Sequence, residues 1–155
     1  MGAFTLPIRV KNSLEELGTL FGAVDALGTK IFLSQKKRWE IQLILEEIFT
    51  NIVNHGFNDK EEHEIEILIT VKNKILTIRF EDDGKPFDPT GVTFPDTRCA
   101  VEQRLVGGLG VHFVRHFIDT CTYRRTGGKN IMILEKKMTD QAETEPTPQS
   151  NQKRR

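Results

Sequence analysis

Three short segments of this 155-residue chain carry side chains whose types and spacing could act together on a charged substrate. The first, LEEIFTNIVNHGF, holds Glu47 and Asn51 four residues apart. On a helix that spacing puts both on one face, a turn apart. Asn54 and Asn58 extend the stripe if the helix persists. A carboxylate beside an amide oxygen suits a hard, oxygen-seeking cation or a positioned water. The same residues also fit the polar outer face of an amphipathic helix. The second segment is Glu81-Asp82-Asp83-Gly84-Lys85-Pro86-Phe87-Asp88, after a run rich in Ile, Leu and Phe. A strand that delivers Asp82 into a turn at Gly84 can aim the carboxylate at an amino donor such as adenine N6. Asp, Gly and Pro are equally the residues of an ordinary surface turn. The third is Val106-Gly107-Gly108-Leu109-Gly110-Val111, followed at once by helical periodicity. Glycines before a helix let free backbone N–H groups and the helix dipole approach a phosphate. They also suit a tight helix-packing turn. The segment is neither GxxxxGK[ST] nor a GxGxxG after a strand.

Regular elements must position these groups. Ala3 to Val10 reads as an edge strand, because Pro7 removes a ladder donor. Asn12 or Ser13 can cap a first helix with Glu15 and Glu16 in its first turn. Leu14, Leu17, Phe21, Val24 and Ile31 recur at helical spacing and predict a face running to about Leu33. Gly18, Gly22 and Gly28 lower its propensity. A second helix is predicted from about Lys36 to His55, with Ile41, Ile44, Leu45, Ile48, Ile52 and Val53 as its buried stripe and Asn54-His55-Gly56 at its end. The period then drops to two, predicting a hairpin of strands 63–72 and 74–82 turned at Asn73. A loop-rich stretch from Asp83 to Val106 leads to a third helix, from Gly107 to about Asp119. Strands 120–126 and 129–137, joined by Gly127-Gly128, close the chain. The fold class is α+β: a two-layer α/β sandwich with helices on one face of a mixed, mostly antiparallel sheet.

Composition narrows the function classes. Lys plus Arg number 22 and so do Asp plus Glu, so net charge gives no reason to expect nucleic acid or an anionic membrane. Cys99 and Cys121 form no Cys-x-x-Cys pair, so reduced thiols in a cytoplasmic protein are expected. No stretch reaches the roughly 18 apolar residues of a membrane span. The N-terminus has no apolar core of a secretory signal. Residues 1–138 read as one domain and 139–155 as a polar tail expected to be disordered. Trp39 and the phenylalanines are expected in the core, and His55 at the capped or packed end of the second helix. His112 and His116 lie four apart, but no further ligand at motif spacing completes a metal site.

Taken together, LEEIFTNIVNHGF, FEDDGKPFDP and GGLGVHFVRHFIDTCTYRRTGGKN are similar in order and spacing to the three boxes of the ATPase superfamily of gyrase, histidine kinases and their relatives. Within it the chain resembles the anti-sigma-factor serine/threonine kinases, over about residues 5 to 137. The Pro-Phe-Asp-Pro form of the second box, the Gly-Leu-Gly-hydrophobic-His start of the third helix and the Asp…Tyr…Gly-x-Asn ending carry that resemblance. It implies a Bergerat-type fold that binds Mg-ATP. It implies that Asn51 holds magnesium, that Glu47 is the general base, and that Asp82 accepts from the adenine amino group with Gly84 clearing space for the ring. It implies that Gly107, Gly108, Leu109 and Gly110 bring a helix N-terminus to the phosphates, and that Asn130 lies near the adenine. Glu46 points about 100° away from Glu47 and is given no such role. One departure is Pro86, where the second glycine of Asp-x-Gly-x-Gly usually stands. Another is the short following loop, whose Arg98 and Arg104 are either phosphate contacts or plain surface residues.

The resemblance implies phosphorylation of a serine or threonine on a STAS-type anti-anti-sigma protein, with a sigma factor as a second partner and transcription regulated by the exchange. It also implies a homodimer, for which the Gly-spotted first helix is an interface. A non-catalytic, nucleotide-gated binding module is the alternative from a different class. A detached ATP-binding domain of a histidine kinase is another, and it requires a separate phosphoacceptor helix pair.

Overall fold

The structure is a computed structural model that describes residues 2–86 and 116–138. Its order is β1 (Phe4–Lys11), a 3₁₀ turn (Leu14–Glu16), α1 (Leu17–Lys30), α2 (Gln35–His55), β2 (Glu64–Lys72), β3 (Ile75–Asp82), β4 (Thr120–Thr126) and β5 (Lys129–Lys137). The strands form one sheet ordered β1-β2-β3-β5-β4. All four pairings among the described residues are antiparallel, which narrows the mixed sheet expected from sequence. β1 is an edge strand, as Pro7 requires.

Strand periodicity sorts the sheet into two faces. Ile8, Val10, Ile65, Ile67, Ile69, Leu76, Ile78, Phe80, Cys121, Met132 and Leu134 point inward and are buried. Against them lie Leu20, Val24 and Leu27 of α1 and Ile41, Ile44, Leu45, Ile48, Phe49 and Ile52 of α2. This two-layer α+β sandwich has one apolar core between the helices and one sheet face. Each such aliphatic or aromatic side chain contributes about 1.5–3 kcal/mol by leaving water.

Both hairpins turn on two residues in the left-handed region. In one these are Asn73 (φ 51°) and Lys74 (φ 59°), and in the other Gly127 (φ 60°) and Gly128 (φ 75°). Such turns match the right-handed twist of the flanking strands. They also fix the register, pairing Lys72 with Ile75 and Thr126 with Lys129.

Several expectations change. α1 ends at Lys30 rather than Leu33, and its buried residues are Leu20, Val24, Leu27 and Gly28. Leu14 is 43% exposed. The helix carries two overlapping apolar stripes, and packing against α2 and the sheet selects the one through Leu20 and Leu27. Trp39 is 52% exposed rather than core, meeting Phe117 edge-on at 6.3 Å. It lies about 100° around α2 from the buried Glu40 and about 160° from the buried Ile41, so the sheet-facing stripe excludes it. Phe32 is also not core, being 93% exposed at the α1–α2 turn with φ 58°. His55 is exposed. The predicted third helix lies outside the described residues except for its last turn at His116 and Phe117. The tail from Thr139 lies outside them as well. No described helix is long and apolar enough to cross a membrane.

Candidate functional site

The site is built where the end of α2 meets the end of β3. Ser34 caps α2, its hydroxyl accepting from the Lys37 N–H at 3.2 Å. The helix runs to Gly56, whose N–H donates to the Ile52 carbonyl at 2.8 Å. The Gly56 carbonyl then accepts the Lys85 N–H at 2.7 Å. That bond fastens the loop after β3 to the helix carrying Glu47 and Asn51. The approach is close enough that a Cβ on Gly84 would lie 2.5 Å from the Gly56 oxygen and 2.8 Å from Asp82 Oδ1.

Asp82 is the last residue of β3, pairs with Asn130 of β5 and is 3% exposed. Its Oδ1 accepts from the Gly84 N–H at 3.0 Å and from Asn130 Nδ2 at 2.9 Å. Asn130 Nδ2 also faces the carbonyls of Gly84 at 3.3 Å and Lys85 at 3.1 Å. One carboxylate oxygen thus organises the Asp-Gly turn, and that fixes how the whole carboxylate is rotated. Buried polar groups of this kind must be satisfied, and these are. Asp82, Gly84 and Asn130 therefore come together at the end of β3.

Glu47 and Asn51 lie one turn apart on α2, both half-buried. Asn51 Nδ2 donates to the Glu47 carbonyl at 2.7 Å. The bond commits the nitrogen end of the amide to the helix and leaves its oxygen end as the side to offer a cation. Partial burial, with the neighbouring Glu46 carboxylate second, pushes the Glu47 carboxyl above its usual range. A carboxylate disfavoured in its charged form is a better proton acceptor. α2 itself links these residues to the Asp-Gly turn, since Asn51 precedes Gly56 by about 7.5 Å of helical rise. Gly107, Gly108, Leu109 and Gly110, with Arg98 and Arg104, lie outside the described residues.

Sequence reasoning named Tyr123 only as part of a motif and gave no role to it, to Arg125 or to His63. The Tyr123 hydroxyl donates to Asn130 Oδ1 at 2.5 Å. Arg125 donates to the same oxygen at 2.8 Å and to the Gly84 carbonyl at 3.1 Å. A signal was present, because a two-residue Gly127-Gly128 turn necessarily sets Arg125 opposite Asn130. His63 stacks on Phe57 at 4.3 Å. Its ring nitrogens meet Asp59 Oδ1 at 2.7 Å and Asp83 Oδ1 at 3.0 Å. Asn12 ties down its backbone. This latch holds the loop after α2 to the residue beside Asp82. Hydrogen bonding from Asp59 comes first among the causes that raise the His63 pKa, and His63 in turn lowers that of Asp59.

Residues 10–136 match the family of the histidine kinase-like ATPase domain. The chain is 26% identical over 129 residues to serine/threonine-protein kinase BtrW of Bordetella bronchiseptica, covering 79% of this chain and 91% of that kinase. It is 28% identical over 121 residues to serine-protein kinase RsbW of Oceanobacillus iheyensis, covering 74% of this chain and 73% of the relative. Against serine-protein kinase RsbW of Listeria monocytogenes it is 23% identical over 135 residues, covering 84% of this chain and 85% of the relative. With the match spanning both α2 and the β3–β5 network, the chain belongs to the histidine kinase-like ATPase domain family.

Proposed function

We propose that this protein is an ATP-dependent serine/threonine kinase of the anti-sigma-factor type, acting on a STAS-type anti-anti-sigma partner. One observation carries the reading. A buried Asp82, rotationally fixed by Gly84 and Asn130, is fastened through Lys85 and Gly56 to the helix that bears Glu47 and Asn51. The names of the relatives support transfer to a serine or threonine.

In this mechanism Asp82 accepts the exocyclic amino group of adenine and sets the base. Gly84 gives the ring room and lets the turn approach α2. The Asn51 amide oxygen fits a hard cation, so Asn51 would hold magnesium, which supplies charge neutralisation at the phosphates. Glu47 takes the proton of the incoming hydroxyl, and its raised pKa matches that task. Gly107, Gly108, Leu109 and Gly110 complete the proposal as the phosphate-facing helix start, by resemblance alone.

The test uses purified protein, a purified STAS-domain partner and γ-labelled ATP. Wild type is expected to label a partner serine or threonine. Glu47→Gln is expected to lower the rate about 10²–10⁴-fold while nucleotide binding persists. Asn51→Ala is expected to abolish the magnesium dependence of nucleotide affinity. Undiminished transfer by Glu47→Gln removes the base assignment. Nucleotide binding with no turnover on any STAS partner favours the non-catalytic module instead.

A further inference from the structure

We propose that Tyr123 and Arg125 of β4 are positioning residues for base recognition, acting through Asn130 on Asp82; the inference rests on the reading of Asp82 as the acceptor of an adenine amino group. The three strands bring Asp82, Asn130 and Arg125 to one row of the sheet's inner face. Register sets Asp82 opposite Asn130, and Asn130 opposite Arg125. Tyr123 lies two residues before Arg125 on the same strand face.

The Asn130 side chain is an amide with two unlike ends, and either orientation has the same shape. Its surroundings decide between them. On one side stand Asp82 Oδ1 and the carbonyls of Gly84 and Lys85, which are all acceptors. On the other stand the Arg125 guanidinium, which can only donate, and the Tyr123 hydroxyl. The nitrogen therefore faces Asp82. A flipped amide would set its oxygen against three acceptors and its N–H groups against a cation. Without the donors on Oδ1, the penalty for the flip comes from one side only. A water competing for Oδ1 would then loosen the amide.

What depends on this orientation is Asp82. Its Oδ1 is engaged by two donors, so the carboxylate presents a fixed acceptor direction toward a base. A 6-amino purine offers a donor there and a 6-oxo purine offers an acceptor. The preference for one over the other thus depends on how firmly the carboxylate is held. Arg125 is exposed on the outermost strand and Tyr123 is half-buried, so neither carries much of the core. A second contact, from Arg125 to the Gly84 carbonyl at 3.1 Å, couples the same guanidinium to the turn.

The experiment measures dissociation constants for ATP and GTP with the full chain, by titration calorimetry, alongside the thermal midpoint. Wild type is expected to prefer ATP. Tyr123→Phe and Arg125→Ala are each expected to shrink that preference about tenfold, the equilibrium weight of one hydrogen bond. Arg125→Lys is expected to restore part of it. Tyr123→Phe keeps the ring and carries the test alone should Arg125→Ala fail to fold. An unchanged ATP-to-GTP ratio, whether or not the midpoint falls, assigns the two residues to structure only and overturns the proposal. A wild type that binds both nucleotides equally, or neither, overturns the Asp82 reading and this proposal with it.

Discussion

Gly84→Ala is the sharpest test of the geometry at the helix–turn junction. An alanine Cβ built there would stand 2.5 Å from the Gly56 carbonyl oxygen, 3.2 Å from its carbon and 2.8 Å from Asp82 Oδ1. Carbon–oxygen contacts ordinarily begin near 3.3 Å, so about 0.8 Å must be found. The Gly56 oxygen belongs to the capped end of α2 and already accepts the Lys85 N–H at 2.7 Å. Neither side retreats without stretching that bond or the Gly84–Asp82 bond. Overpacking of this size costs about 1–3 kcal/mol. A buried hydrogen-bonding group left unpaired adds about 1–3 kcal/mol. Loss of the unfolded chain's glycine entropy returns about 0.4–1 kcal/mol. The expected net loss is about 3 kcal/mol, read as a lower urea midpoint at unchanged slope and a thermal midpoint lower by about 6–12 °C. Gly22→Ala supplies the control. Gly22 is an exposed helical glycine whose Cβ would meet nothing within 4 Å. That variant is expected to gain about 0.5–1 kcal/mol. Nucleotide affinity should fall with Gly84→Ala and hold with Gly22→Ala. A Gly84→Ala protein that unfolds at the wild-type urea midpoint refutes the junction.

Two further outcomes concern titrating groups. His63 has a raised pKa and Asp59 a lowered one, so their pairing stabilises in full between about pH 4 and 6.5 and fades as pH climbs through the His63 value. The midpoint difference between wild type and His63→Gln should be larger at pH 5.5 than at pH 8.5, and a larger difference at pH 8.5 contradicts the latch. The raised Glu47 carboxyl has the opposite consequence for the fold: its charged form is disfavoured in the native state, a cost absent at low pH and complete above the raised pKa. Glu47→Gln should therefore melt higher than wild type at pH 7.5 and equally at pH 3.5, and a lower midpoint at pH 7.5 would falsify the account of the shift.

What the sequence revealed follows from which interactions are local. Alternation in EIEILITVK and ILTIRFED set the hairpin, and the turn residues set its register. The stripe of α2 was equally plain, because Ile41, Ile44, Leu45, Ile48 and Ile52 recur on one face. α1 was ambiguous for the opposite reason. Leu14, Leu17, Phe21 and Val24 form one helical stripe while Leu17, Leu20, Val24 and Leu27 form another, and only the surface beneath chooses. Ser34 escaped notice as a cap because Ile31, Phe32 and Leu33 carry apolar residues up to its edge. Trp39 misled because bulk suggests burial, whereas its angular position on α2 decides.

The site divides along the same line. Asp82 and Gly84 were legible because a strand ending in a tight turn is a local event. Glu47 and Asn51 were legible because helical spacing is. The residues around Asn130 are different in kind. β4 reads TCTYRRT, a mostly polar strand in which Cys121 and Tyr123 alone mark the inward face. Only the register forced by Gly127-Gly128, together with β3 pairing to β5 rather than β4, places Tyr123 and Arg125 behind Asn130 and Asn130 behind Asp82. A guanidinium at an exposed edge then bears on a buried carboxylate two strands away. It does so because an amide passes orientation from one of its ends to the other, and that transfer becomes visible only when all three strands are in place.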